Sequence, residues 1–587
     1  MSKTWKIPFI VASLFVSSSL YAATELAVEA KQGMVVSAQH LASQAGIDIL
    51  KMGGNAIDAA VAVGYAEAVV NPCCGNIGGG GFMTIHLADG TDKFINFRET
   101  APAAASADMY LDKDGNVIKG ASLYGYKAIG VPGTVMGLDT ALQKYGTFTR
   151  EQVMAPAIKL AREGYVLTRG DTDIMDTTVK RFAQDPEAAR IFLRKDGTPF
   201  QPGDRLVQTD LANTLEMIAK QGPDIFYHGK IPQIIEETSK KSGGIITAAD
   251  FANYTITETT PVTCSYRGYK FISAPPPSSG GATLCEILNI VEGYDLKSMG
   301  FNSAAYIHTL TEAMRHAYID RNTYLGDPAF IKNPLDRLLS KSYAESIRKE
   351  IQPNKATPST QVQPGIGPHE KPETTHYSVV DKDGNAVSTT YTINGRFGAV
   401  VIAPGTGFFL NDEMDDFTTK VGEKNMYGLV QGATNSIAPG KRPLSSMSPT
   451  LVTKDNKIFL VLGSPGGSRI ISITLQAALN IIDFDMPPQE AVNSPRIHHQ
   501  WLPDEVYYEQ RGLSKDTLNL LEKMGYKMVE QTPWGATELI MIGLPGAAGV
   551  SPVNSSGNDS AVSGKVREGY IYGANDVRRP AGAAIGY

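Results

Sequence analysis

The chain has 587 residues, ample for a large core, and length alone leaves one big domain or several open. Hydrophobic residues make up 42% and charged residues 19%, which excludes a disordered chain. The formal net charge is −6 and no long Lys/Arg block is present, so nucleic acid is a poor partner.

The N-terminus reads as an address. Lys3 and Lys6 precede the apolar stretch "IPFIVASLFV", and "SSSLYAA" follows. A short positive head, an apolar run too short to span a bilayer stably, and small residues near Ala22 and Ala23 define a secretory signal peptide over 1–23. An uncleaved anchor is the alternative. The expectation is a periplasmic or secreted protein with no stable membrane span. The four cysteines are Cys73, Cys74, Cys264 and Cys285. An oxidising compartment permits disulfides. A bond between the adjacent Cys73 and Cys74 would be strained, pairing of Cys264 with Cys285 stays open, and no CxxC spacing argues for zinc.

Residues 38–52 and 55–70 carry apolar side chains at helical spacing, separated by "GGN". "NPCCGNIGGGGF" follows. Its four glycines, Gly78 to Gly81, allow close backbone approach; a phosphate cradle would want Lys-Ser/Thr next, and Phe82 stands there instead. "FMTIHL" reads as a strand, as does 93–102, which ends at Arg98. The middle, 150–350, is mostly helical, with a long helix over 302–325 whose His308 and His316 read as structural. Residues 352–373 hold five prolines and no period, the mark of an exposed linker. Short strands dominate after Thr374, then helices near 470–482 and 513–524.

Where the linker stops, "THYSVV" and "AVSTTYT" flank the turn signal "DKDGN". Pairing Val380 with Ala386 places Thr374 opposite Thr392, with Cβ atoms about 4.5–5.5 Å apart. One face of this hairpin then carries His376, Ser378, Ser388 and Thr390; the other carries Tyr377, Val379, Val387 and Tyr391. Read plainly, this is a hairpin with one wet face. Read with the linker before it, Thr374 is a nucleophile. If its hydroxyl attacks the Glu373 carbonyl and the ester hydrolyses, Thr374 becomes an N-terminus with an α-amine beside its own hydroxyl. An α-amine has a pKa of about 7.7–8.0, so roughly a tenth is neutral at pH 7. One residue then supplies nucleophile and base. Acyl transfer also needs donors for an oxyanion, and the turn in "VLGSPGGSRIISITLQAAL" offers the N–H groups of Gly466 and Gly467.

Together with "FRETAP", "EAMRHAYIDRNTYLGDP", "LNDEMDDF" and "RPLSSMSPT", these motifs resemble a bacterial-type γ-glutamyltransferase (γ-glutamyltranspeptidase) over nearly the whole mature chain. That family belongs to the N-terminal-nucleophile hydrolases. The resemblance implies an α+β fold, a four-layer αββα sandwich of two mixed sheets, built by two subunits cut from one precursor. It implies a large subunit over 24–373, a small catalytic subunit over 374–587, and a cut between Glu373 and Thr374. It makes Thr374 the nucleophile and Thr392 its hydrogen-bonding partner, with Gly466 and Gly467 as the oxyanion hole. Arg98, Ser445 and Ser446 match the residues that hold the donor's α-carboxylate. Asn394, Glu413 and Asp416 match those around its α-amino group, and Tyr427 matches the aromatic residue of a lid loop. The chemistry agrees: Arg suits a carboxylate through its planar fork, and acidic groups suit an ammonium. The substrate implied is glutathione or another γ-glutamyl compound, with amino acids, peptides or water as acceptors and no metal or organic cofactor. Cys73–Cys74 and the insertion-like 544–564 receive no role. Three rivals are a β-lactam (glutaryl-cephalosporin) acylase, a poly-γ-glutamate-processing relative, and a non-catalytic periplasmic amino-acid or peptide-binding protein.

Overall fold

In a computed structural model, the structure describes residues 25–361, 374–423, 425–426, 429–551 and 565–587. The signal-peptide segment 1–23, the end of the linker with Glu373, Tyr427 and most of the insertion lie outside the described residues. Among the described residues no helix is long and apolar enough to cross a membrane.

Two seven-stranded sheets carry the fold. The first runs, edge to edge, Ala583–Gly586, Met34–Ser37, Thr375–Val380, Ala386–Thr392, Gly80–His86, Asp92–Asn96 and Thr257–Thr259. The second runs Val28–Ala30, Ile571–Asn575, Glu538–Ile542, Lys457–Leu462, Thr450–Lys454, Tyr269–Ser273 and Val262–Tyr266. Segments from before and after Thr374 interleave in both, so the two stretches make one structural unit. Every pair within these sheets is antiparallel, which corrects the expectation of mixed sheets.

Alternation along each strand sorts side chains into layers. Val35, Met83 and Val379 point outward, into a core built with the helices His40–Lys51 and Ala56–Val70. Met34, Val36 and Val380 point inward and meet Leu451, Val461 and Ile540 of the second sheet. The outer face of the second sheet packs Val452, Leu460 and Met541 against the helices Gly280–Val291, Ala304–Tyr324 and Ile470–Ile482. The result is the expected order of helix, sheet, sheet, helix. The helix Ala56–Val70 is buried all round, because it lies between the first sheet and further helices, and it starts with an Asn55–Asp58 capping box.

The sequence left the cysteines open; Cys264–Cys285 and Cys73–Cys74 are both disulfides. The first ties an edge strand of the second sheet to the helix Gly280–Val291. His308 bonds the Tyr526 hydroxyl at 2.6 Å and the Gln352 carbonyl at 2.8 Å, a structural role as read.

Candidate active site

The hairpin forms in the expected register, from Val380 opposite Ala386 to Thr375 opposite Tyr391. Thr374 precedes the strand, and its Oγ1 lies 3.3 Å from Thr392 Oγ1. Thr392 Oγ1 also accepts the Asn394 N–H at 2.8 Å, which holds the hydroxyl in place beside Thr374. Asn394 adopts φ +70°, a left-handed conformation that turns this N–H back onto the threonine.

The hydroxyl-rich face is not wet. It faces the second sheet: Ser378 Oγ donates to Glu538 O at 2.9 Å and Ser388 Oγ to Leu462 O at 3.1 Å. His376 bridges Thr390 and Ser378, and burial alone pushes its pKa down to about 3, so it is neutral. The threonine pair therefore sits at one end of a polar seam between two sheets, with Thr374 only 4% exposed.

The glycine run explains how the neighbouring strand approaches this pair. A Cβ on Gly79 would lie 1.9 Å from the Thr392 carbonyl oxygen, and one on Gly78 would lie 2.0 Å from that of Phe409. Gly80 and Gly81 pair directly with Thr392 and Tyr391. The run serves close backbone contact.

Across the cavity lies a buried charge cluster. Arg98, fully buried, donates from one terminal nitrogen to Glu413 and from the other to Asp416 at 2.5 Å, with Glu99 3.6 Å away. Burial works against the Arg98 charge, but Glu413, Asp416 and Glu99 outweigh it and hold its pKa above the ordinary guanidinium value. Burial pushes Glu99 up to about 7 against the pull of Arg98. Glu413 Oε2 has no hydrogen-bond partner among the described residues. Asn394 Nδ2 donates to the Asp412 carbonyl at 3.0 Å.

The turn after the strand Lys457–Leu462 brings Gly466 (φ +149°) and Gly467 (φ +55°), then a short 3₁₀ turn and the helix Ile470–Ile482. Both φ values favour glycine. Tyr318 pins this turn through a hydrogen bond of 2.5 Å to the Ser468 carbonyl.

One cavity gathers Thr374, Thr392, Asn394, Arg98, Glu413 and Asp416 with Ser445, Ser446 and Gly467. Gly466 adjoins Gly467 without lining it, and Glu373 and Tyr427 lie outside the described residues. Either side of position 427, the Met426 N–H donates to Asp415 at 2.8 Å and Leu429 lines the cavity. Sequence reasoning gave no role to Arg321 or Ser468, which also line it. Arg321 stood inside a quoted motif, but a helix buried on nearly every side gives its residues no distinguishing period. Among the described residues no group of three or more His, Cys, Asp or Glu side chains could hold a metal ion.

The family model described as Gamma-glutamyltranspeptidase matches residues 42–562. The chain belongs to the γ-glutamyltranspeptidase family. Among γ-glutamyltranspeptidase relatives, it is 57% identical over 570 residues to a glutathione hydrolase proenzyme of Pseudomonas sp. (strain A14), covering 97% of this chain and 96% of that protein. It is 49% identical over 561 residues to the glutathione hydrolase proenzyme of Escherichia coli (strain K12), covering 95% and 93%. In structure it resembles the cephalosporin acylase from Bacillus halodurans, with a TM-score of 0.81, 26% identity, and coverage of 97% and 98%. The fold of this chain and that of the acylase are thus one architecture.

Proposed function

We propose that the chain is a γ-glutamyltransferase and glutathione hydrolase, made as a precursor that cuts itself before Thr374. The observation that carries this reading is the Thr374–Thr392 pair, 3.3 Å apart, sharing one cavity with a buried arginine and two buried carboxylates.

In the precursor the Thr374 nitrogen belongs to a peptide bond. Its Oγ1 attacks the Glu373 carbonyl carbon; the C–O bond forms, the C–N bond breaks, and the nitrogen takes up a proton. Water then hydrolyses the ester, which frees the Glu373 carboxylate and leaves Thr374 with an α-amine. Residues 24–373 become the large subunit and 374–587 the small one, held together by the shared sheets. In turnover the neutral amine accepts the Thr374 hydroxyl proton, and Oγ1 attacks the γ-carbonyl of the donor. The Thr392 hydroxyl holds Oγ1 in line. The N–H groups of Gly466 and Gly467 receive the oxyanion, a contribution of about 3–4 kcal/mol where such donors have been removed. The amine's proton passes to the leaving nitrogen. An amino acid, a peptide or water then takes the γ-glutamyl group from the ester.

The glutamyl end of the donor is a zwitterion, and the cavity is built of matching parts. Its carboxylate meets Arg98, Ser445 and Ser446. Its ammonium meets Asp416, Asn394 and the Glu413 Oε2 that has no hydrogen-bond partner among the described residues. A glutaryl donor has no ammonium and would leave Glu413 Oε2 without a partner, which argues for a transferase over an acylase. Export is supported by the two disulfides, which suit an oxidising compartment, and by the signal-like 1–23.

The test is a gel and an assay. Wild type should run as two chains, one beginning Thr-Thr-His-Tyr, and Thr374→Ala as one inactive chain. Wild type should release the chromophore of a γ-glutamyl anilide and spare a glutaryl anilide. A single wild-type chain with full turnover would sink the mechanism; the reverse donor preference would make the protein an acylase.

A further inference from the structure

The Arg321 side chain is 1% exposed and lies on the helix Ala304–Tyr324 of the part before Thr374. Its Nη2 donates to Ser446 Oγ at 2.9 Å. Its Nε donates to Ser279 Oγ at 2.9 Å, and Ser279 in turn donates to the Ser445 carbonyl at 2.6 Å. The same guanidinium reaches Gln431 at 3.4 Å, whose amide donates to the Asp416 carbonyl at 3.0 Å. One buried arginine thus ties both serines and the Asp416 turn to a helix.

A hydroxyl has one proton to give and lone pairs that accept, whereas a guanidinium only donates. Ser446 Oγ must therefore accept from Arg321, and its proton is left for another partner. Ser445 Oγ is set in the same sense, since it accepts the Met447 N–H at 3.1 Å. Both hydroxyls line the cavity. A carboxylate accepts and never donates, so two hydroxyls that each still have a proton to give suit it.

We propose that Arg321 is a positioning residue for the donor's α-carboxylate, holding the Ser446 hydroxyl as an acceptor so that its proton is offered into the cavity. This rests on the γ-glutamyl reading above. It acts through Ser446, so its effect belongs in donor binding and should disappear in large part once Ser446 has lost its hydroxyl.

The experiment measures KM and kcat for a γ-glutamyl anilide in wild type, Arg321→Met, Ser446→Ala and the double variant, with self-cleavage into two chains as the folding control. Arg321→Met should raise KM by about tenfold or more, the scale of a lost charged hydrogen bond, with kcat within about threefold. The rise in the double variant should fall short of the product of the single rises by at least about fivefold. Single rises that multiply within about twofold, or a loss confined to kcat, would overturn the assignment. Should Arg321→Met not self-cleave, Arg321→Lys, which keeps the charge but not the fork, carries the same cycle: a smaller KM rise that again fails to multiply supports the role, and one that multiplies removes it. An inactive wild type would instead sink the γ-glutamyl reading itself, and an active one with indifferent Arg321 variants sinks only this inference.

Discussion

Thr392 has no charge, yet its hydroxyl accepts the Asn394 N–H and faces the Thr374 oxygen. Thr392→Val keeps the shape and removes both. Self-cleavage should slow and kcat fall by about 10- to 100-fold, read from a time course on a gel and from steady-state kinetics. Arg98 is a different case. As a surface clamp, its truncation would only raise KM. In the structure it is the cation among Glu99, Glu413 and Asp416, and removing it leaves buried acids uncompensated. Arg98→Ala should therefore lose about 3–5 kcal/mol of stability as well as donor affinity, seen in denaturant unfolding. Arg98→Lys should keep most of the stability and still raise KM, because an ammonium cannot match the fork. Unchanged unfolding of Arg98→Ala would mean the cluster is solvated.

Among elements, the hairpin was the most legible. Its turn signal and its alternation fixed the register, because both are local rules that the chain carries with it. The alternation could not say what covers the hydroxyl face. Taken alone it leaves that face open to water, whereas the face is capped by carbonyls of Leu462 and Glu538 from the second sheet. The glycine run was legible only as close approach; that the approaching backbone belongs to Thr392 needed the structure. Gly79→Ala should block self-cleavage or folding outright, since the clash is with a backbone oxygen that no rotamer can move; normal processing of that variant would contradict the packing. The Cys264–Cys285 bond closes a separation of 21 residues. Cys285→Ala should cost about 2–4 kcal/mol, seen as a lower Tm absent under reducing conditions for both proteins.

Across the whole molecule, buried titratable groups link stability to pH. Glu67 lies under the first sheet, accepting from Asn71 at 2.8 Å and Thr375 at 3.2 Å. Burial pushes its pKa from 4.5 up to about 7, against those hydrogen bonds. Below pH 4.5 it is protonated in folded and unfolded chain alike. Between 4.5 and about 7 only the unfolded chain loses the proton, so this residue's contribution falls as pH rises and levels off above about 7. Glu67→Gln removes the titration. It should match wild type near pH 4.5 and be more stable by about 1–3 kcal/mol at pH 8, by thermal unfolding at both pH values. An equal difference at the two would mean that Glu67 is ionised throughout. The same scale hid the sheets' strand directions, since neighbours such as Met34–Ser37 and Ala583–Gly586 come from opposite ends of the chain.

The sequence by itself determined what propagates along the backbone: the hairpin and its register, the glycine turn before the helix Ile470–Ile482, and the threonine at the linker's end. Only the tertiary structure decided which charges meet. Arg98 and Glu413 are 315 positions apart, and Arg321 and Ser446 are 125 apart. Local propensity is set within a few residues by steric and hydrogen-bonding rules, whereas the partner of a buried charge is whichever group the packed layers bring to it, and nothing in the neighbouring sequence encodes that distance.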